Sequence, residues 1–182
     1  MSEQHSGIAE LDERIPFLLA QLGSYVSSDF QRRLAPIGAD PRTYAVLLAL
    51  AEDDGQSQRQ LSERLGIHRN AMVIVIDSLE QRGLARRLPH PADRRAVAVT
   101  LTAKARRLLP ALSDQARDLE DEISAPLSSK ERAALRQLLQ RIAAGAGLIP
   151  GVHPDLAPGV AVVAKQRSSP QQTPSRRMVD QS

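Results

Sequence analysis

Apolar residues recur at helical spacing through Ile15, Leu18, Leu19, Leu22, Val26, Phe30 and Leu34. That period predicts a long first helix from Ala9 to Leu34, ended by Pro36 and Gly38. Asp40 followed by Pro41 is a helix-start signal, and Val46, Leu47 and Leu50 form the buried stripe of a second helix that Asp53-Asp54-Gly55 stops. Ser57 and Gln60 have capping-box spacing for a short third helix, with Leu61 and Leu65 inward and Gly66 as its C-cap. After a turn at Ile67 to Arg69, a fourth helix is predicted from about Asn70 to Gln81, with Met72, Val75, Ile76 and Leu79 on its inner face and Gly83 at its end. The run Met72-Val73-Ile74-Val75-Ile76 is strand-like by propensity alone. The flanking caps and the continuing period through Glu80 favour helix.

The period then changes. Leu84–Leu88 and Arg95–Leu101 alternate as strands do, and the turn-forming stretch Pro89-His90-Pro91-Ala92-Asp93 joins them into a hairpin. Thr102 caps a fifth helix reaching about Ile123, in which Pro110 is expected to make a kink or a break. Ser128 and Glu131 make another capping box, and Leu135, Leu138, Leu139 and Ile142 stripe a sixth helix ending near Gly145. From residue 147 to 182 the texture becomes Pro-, Ser-, Gln- and Arg-rich without a core-forming period, which reads as a disordered tail. The fold class expected is mainly α with a small β-hairpin.

Charge sharpens this picture. Between Arg59 and Arg107 there are 11 basic residues against 4 acidic ones, a net +7 in a chain whose total is only +3. Such polarisation suits one face to a polyanion, although a solvated basic face is the ordinary alternative. The basic residues are mostly Arg, a choice that suits phosphate forks and narrow minor grooves but also follows from genomic base composition.

Composition removes several functions. With no Cys, disulfides, thiolate zinc sites and Cys nucleophiles are excluded. The four His (His5, His68, His90, His153) lack metal-ligand spacing, and no catalytic Ser/His/Asp arrangement, phosphate-cradling Gly loop or dinucleotide fingerprint is present. No catalytic residue, metal or cofactor is therefore expected. With aromatics limited to Phe17, Tyr25, Phe30 and Tyr44, base stacking on aromatic platforms is a poor fit. The longest apolar runs, such as Ala45–Ala51, are too short to span a bilayer, and residues 1–14 lack an apolar signal core, so a cytoplasmic location and no membrane partner are expected.

Helix, turn, helix and then a basic hairpin is the order of a winged helix. In such a unit the second helix enters the major groove, and a wing tip meets the minor groove. The residues carrying a more specific resemblance are Leu61-Ser62-Glu63-Arg64-Leu65-Gly66-Ile67, then Met72, then Asp77 to Leu84, which reads Asp-Ser-Leu-Glu-Gln-Arg-Gly-Leu. The strongest piece is Asp93-Arg94-Arg95, five residues, then Leu101-Thr102. In these residues the chain resembles the MarR family of bacterial transcriptional regulators, over about residues 10–145.

The resemblance implies a DNA-binding lobe at 40–102, dimerisation helices at 9–36 and 103–146, and a homodimer on double-stranded DNA with a pseudo-palindromic operator. It further implies a repressor of nearby genes that a small, commonly phenolic, effector releases. The candidate DNA-binding residues are Ser57, Gln58, His68, Arg69, Asn70, Val73, Ile74, Arg86, Arg87, Arg94 and Arg95. Phe17, Tyr25 and Tyr44 are candidates for an effector pocket, with plain core as the alternative for each. One departure stands out: where many members of the family place Thr, Ser or Arg on the exposed face of the recognition helix, this chain has Ala71, Val73 and Ile74. Such side chains pack on thymine methyls rather than hydrogen-bonding base edges, unless the operator is read mainly by shape. Two other functions fit the same elements: a ligand-independent architectural DNA binder and a winged-helix protein-interaction module.

Overall fold

The structure, a computed structural model, describes residues 7–90 and 93–154, with the side chains of 90 and 93–96 outside the description. In chain order the elements are α1 (Ala9–Asp12), α2 (Ile15–Leu34), a 3-10 turn (Ala35–Ile37), α3 (Pro41–Glu52), α4 (Gln58–Leu65), α5 (Arg69–Gln81), β1 (Ala85–His90), β2 (Asp93–Leu101), α6 (Ala103–Ser124) and α7 (Ser129–Gly145). This is the mainly helical fold with one antiparallel hairpin that the sequence pattern predicts.

Three boundaries differ from expectation, each for a local reason. The predicted helix from Ala9 to Leu34 is interrupted at Glu13-Arg14. Pro16 lies in the first turn of α2, where its missing N–H costs nothing, whereas in a continuous helix its ring would clash with the carbonyl four residues back. Pro110, in contrast, lies inside a single helix, α6, so of the two expected outcomes, a kink or a break, the break does not occur. The hairpin is longer than predicted: pairing runs from Ala85 opposite Leu101 to Pro89 opposite Val97, then slips to His90 opposite Asp93. Pro89 and Asp93 therefore belong to strands rather than to the turn, and the irregularity lies at the step after Pro89, which has no N–H to offer the ladder.

Capping matches the sequence closely. Asp40 Oδ1 accepts from Thr43 N at 2.6 Å, and both capping boxes, Ser57 with Gln60 and Ser128 with Glu131, are closed. Gly66 and Gly83 take left-handed φ values of 65° and 67°, which turn the chain sharply after α4 and after α5.

Leu47 and Leu50 of α3, Leu61 of α4, Met72, Ile76 and Leu79 of α5, Leu84, Val99 of β2, Leu112 of α6 and Leu34 of α2 form the buried centre. Burying each such side chain contributes on the order of 1.5–3 kcal/mol. The core thus sits in the lobe made of α3, α4, α5 and the hairpin, closed by the C-terminal end of α2 and the first half of α6. By comparison, α7 has no buried residue, and Leu135, Leu138, Leu139 and Ile142 are exposed along it. It is tied to α6 by ion pairs, Arg132 with Asp121 and Arg136 with Glu120. Residues 155–182, most of the expected tail, lie outside the described residues.

Candidate nucleic-acid interface

The turn between α4 and α5 is built by Gly66, the buried Ile67 and His68. His68 serves as N-cap of α5, its Nδ1 accepting from Asn70 N at 3.3 Å. Arg69 and Asn70 begin the helix and are exposed. The amides of this first turn lack intrahelical partners and carry the positive end of the helix dipole, which favours an anion. His68, Arg69 and Asn70 are therefore brought together at one exposed helix start.

Farther along α5 the inward positions are Met72, Ile76 and Leu79, all buried. At 100° per residue the opposite row is Asn70, Ile74 and Ser78, one turn apart and all exposed. Val73 is 42% exposed and Ile74 is 70% exposed.

Ser57 and Gln58 sit at the start of α4. The Ser57 hydroxyl accepts from Gln60 N at 3.3 Å and donates to Gln60 Oε1 at 2.8 Å. Gln58 is half-buried, and its Nε2 is enclosed without a hydrogen-bond partner among the described residues. The structure thus commits the Ser57 side chain to helix capping.

The hairpin contributes Arg86, exposed, and Arg87, which is held inward. Arg87 Nη2 donates to Asp77 Oδ1 at 2.6 Å, its Nη1 donates to Glu80 Oε2, and its backbone N–H donates to Glu80 Oε1 at 2.8 Å. Asp77 and Glu80 are both on α5, so this cluster joins the wing to the second helix of the helix-turn-helix. Arg94 and Arg95 have their backbone in β2, toward the tip of the hairpin, and their side chains lie outside the described residues.

Sequence reasoning missed the residue that anchors the base of the wing. Asp54 Oδ1 accepts from Leu101 N at 2.9 Å and from Gly55 N at 3.2 Å, while Oδ2 accepts from Arg106 of α6 at 2.5 Å. Beside it, Gly55 and Gln56 exchange backbone hydrogen bonds with Val99, and Ser57 bridges to Ala98. A short third strand-like edge thus lies along β2. The sequence signalled only that 53–55 was a turn.

The three aromatic candidates do not converge. Tyr44 packs edge-on against Phe30, with ring centroids 5.6 Å apart, across the α2–α3 junction. Phe17 and Tyr25 are exposed on α2. A groove of about 960 Å³ runs instead between α2 and α7, lined by Ile15, Leu18, Leu22, Leu135, Leu138 and Ile142 among others. Among the described residues no helix is long and apolar enough to cross a membrane, and no group of three or more His, Asp or Glu is placed to hold a metal ion.

Residues 37–96 match the family model described as MarR family, over the helix-turn-helix and most of the hairpin. A putative transcriptional regulatory protein for the hcr operon of Thauera aromatica is 31% identical over 105 residues, covering 58% of this chain and 63% of that protein. The transcriptional regulator HosA of Escherichia coli O111:H- is 31% identical over 99 residues, 54% of this chain and 73% of HosA. Among solved structures, the transcriptional repressor CouR bound to a 23-mer DNA duplex superposes with a TM-score of 0.68 at 33% identity, over 77% of this chain and 99% of CouR. CouR from Rhodococcus jostii RHA1 bound to p-coumaroyl-CoA gives 0.63 at 30% identity, over 73% and 94%.

Proposed function

This chain belongs to the MarR family of DNA-binding transcriptional regulators, and from that premise we propose that it is a homodimeric repressor, acting on nearby genes and released from its operator by a small aromatic ligand. The observation that carries the reading is the exposed start of α5: His68, Arg69 and Asn70 converge there, in a segment of net +7, beside a hairpin carrying four Arg. Arg69 and Asn70 at the helix start read major-groove edges, where the four base pairs differ. Arg86, Arg94 and Arg95 bind phosphates and the minor groove, which carry little base information. Arg87 supports them by holding the hairpin to α5.

The exposed Ile15, Leu19 and Leu22 on α2 and Leu135, Leu138 and Ile142 on α7 support dimerisation, since a lone protomer leaves a contiguous apolar groove in water. Two lobes related by a two-fold axis call for an inverted repeat, with half-sites about one helical turn, roughly 10 bp, apart.

The ligand class follows from similarity to CouR, one of whose structures holds p-coumaroyl-CoA. In this chain the Phe30–Tyr44 pair is the aromatic contact joining α2 to the lobe, and a ligand that displaces it biases the angle between the two. Selection of bound duplexes from a random pool tests the operator reading. Titration of the resulting complex with hydroxycinnamic acids and their coenzyme A thioesters tests release. Recovery of an inverted repeat that a saturating aromatic ligand dissociates supports the proposal. A bound site without two-fold symmetry contradicts the dimer, and a complex untouched by the panel contradicts the ligand class.

A further inference from the structure

We propose that this lobe recognises the C5-methyl groups of pyrimidines in the major groove, with Ile74 as the principal contact and Val73 beside it. The inference rests on the DNA-binding reading and names the base-edge chemistry that the site accepts.

Ile74 lies midway along α5, on the row opposite the buried Met72 and Ile76. No core demand places an aliphatic side chain there, because the residue is 70% exposed. Nor does helix propensity: β-branched residues lose side-chain freedom in a helix and rank below Leu, Lys or Glu. A second β-branched residue, Val73, is exposed next to it.

The surroundings decide what covers these two side chains. Asn70 is one turn before Ile74 and Ser78 one turn after, so the apolar pair is set within a polar row. Arg69 precedes it on the same helix, and Arg86 is exposed on the hairpin packed beside α5. The acidic Asp77, one turn beyond Val73, is paired with Arg87 and does not present a bare charge. An aliphatic contact ringed by cations and small polar groups complements a polyanion that has an apolar group on its floor. Among the base edges exposed in the major groove, only thymine offers such a group, its C5-methyl. Aliphatic side chains can neither donate nor accept, so a guanine O6 or a cytosine N4 amine beneath them would be desolvated without a partner, a definite penalty. The same argument applies to 5-methylcytosine, whose methyl occupies the same place in the groove.

The test uses the full chain and the best duplex selected from a random pool. Each thymine in turn is replaced by deoxyuridine, which deletes the methyl and keeps the Watson–Crick pair. Dissociation constants are measured for wild type, Ile74→Ala and Val73→Ala. Wild type is expected to weaken roughly fourfold at one or two positions per half-site, the factor that follows from losing one buried methyl-sized group. Ile74→Ala should bind thymine and deoxyuridine duplexes alike at those positions, while its thermal midpoint stays at the wild-type value because the side chain is exposed. If wild type is indifferent to every deoxyuridine, or Ile74→Ala and Val73→Ala both retain the full penalty, the methyl contact is wrong and DNA binding itself stands. If no duplex is enriched, the DNA-binding reading fails and this inference with it.

Discussion

Arg87 on β1 and Asp77 on α5 are joined by a hydrogen-bonded ion pair of 2.6 Å between Nη2 and Oδ1, ten residues apart in sequence and on different elements. Glu80 completes the cluster by receiving both the Arg87 guanidinium and its backbone N–H. Hairpin orientation relative to α5 is thus held by charge-assisted bonds in a half-buried setting. Arg87→Ala should lower stability by about 1 kcal/mol, between the values of exposed pairs and of buried charged hydrogen bonds. It should also weaken operator binding by loosening the wing. Arg86→Ala, at an exposed position, should reduce affinity and leave stability unchanged. Urea unfolding alongside DNA titration separates the two; equal stability of both variants would count against the clamp.

Binding should fall steeply with salt because phosphate contacts release counterions. Arg94→Ala with Arg95→Ala should weaken operator and scrambled duplex together and reduce the salt slope by about 2 if both side chains meet phosphates. Arg69→Ala or Asn70→Ala should instead cost on the order of 1–3 kcal/mol on the operator alone. Titrations on both duplexes at two salt concentrations distinguish these outcomes, and a loss of discrimination in the wing variant would reverse the assigned roles.

Leu138 is about half exposed in the protomer, so a charge there costs the isolated fold little while disrupting any interface along α7. Leu138→Asp should sediment as a monomer at micromolar concentration, with a helical signal like that of wild type, and should bind a single half-site poorly. A wild-type chain that already sediments as a monomer would contradict the dimer.

Among the described residues Asp29 is the one buried carboxylate, 3% exposed on α2. Arg33 Nε donates to it at 2.7 Å, Arg32 pairs with it too, and Arg33 reaches on to Glu122 of α6. The Arg33 hydrogen bond, followed by the charges of Arg32 and Arg33, holds the Asp29 carboxyl below its ordinary range against the opposing effect of burial. A folded-state value below the unfolded one means that the stabilisation is fully present above about pH 4 and is lost as pH falls through the depressed value. Asp29→Asn should therefore be less stable than wild type at neutral pH, and the gap should close on acidification below about pH 4. Thermal midpoints of both proteins across pH 2.5–7, roughly the span of carboxylate titration, provide the measurement; a gap independent of pH would show that the charge is not responsible.

What was legible in the sequence was whatever short-range chemistry decides. Ser57 with Gln60 and Ser128 with Glu131 announce helix starts because both partners lie within one turn. Gly66 and Gly83 mark ends because a left-handed residue is needed there. The lobe and its exposed helix start followed from those signals. Pro16 was missed because the apolar period runs through it undisturbed, and only the steric demand of its ring on the previous turn breaks the helix. Asp54 was legible only as part of the turn that ends α3. Its partners, Leu101 of β2 and Arg106 of α6, are brought close only by tertiary packing, which no local pattern encodes. Tyr44 was a pocket candidate by its place at the start of the second helix, with plain core as the alternative, and its contact with Phe30 depends on how α2 crosses α3.

Thr102 is the single residue between β2 and α6, and it caps the helix. Its hydroxyl donates to Gly83 O at 2.7 Å and accepts from Ala105 N at 3.2 Å, while its N–H bonds Leu84 O at 3.1 Å. Hairpin and long helix therefore share a rigid joint instead of a linker, and the helix works as a crank. With 22 residues α6 is roughly 33 Å long, so a tilt of about 10° displaces one end by roughly 6 Å relative to the other. A rigid-body tilt of α6 about this joint would carry the wing with it, and lengthening the joint by one or two glycines would let the helix turn while the wing stays where it is.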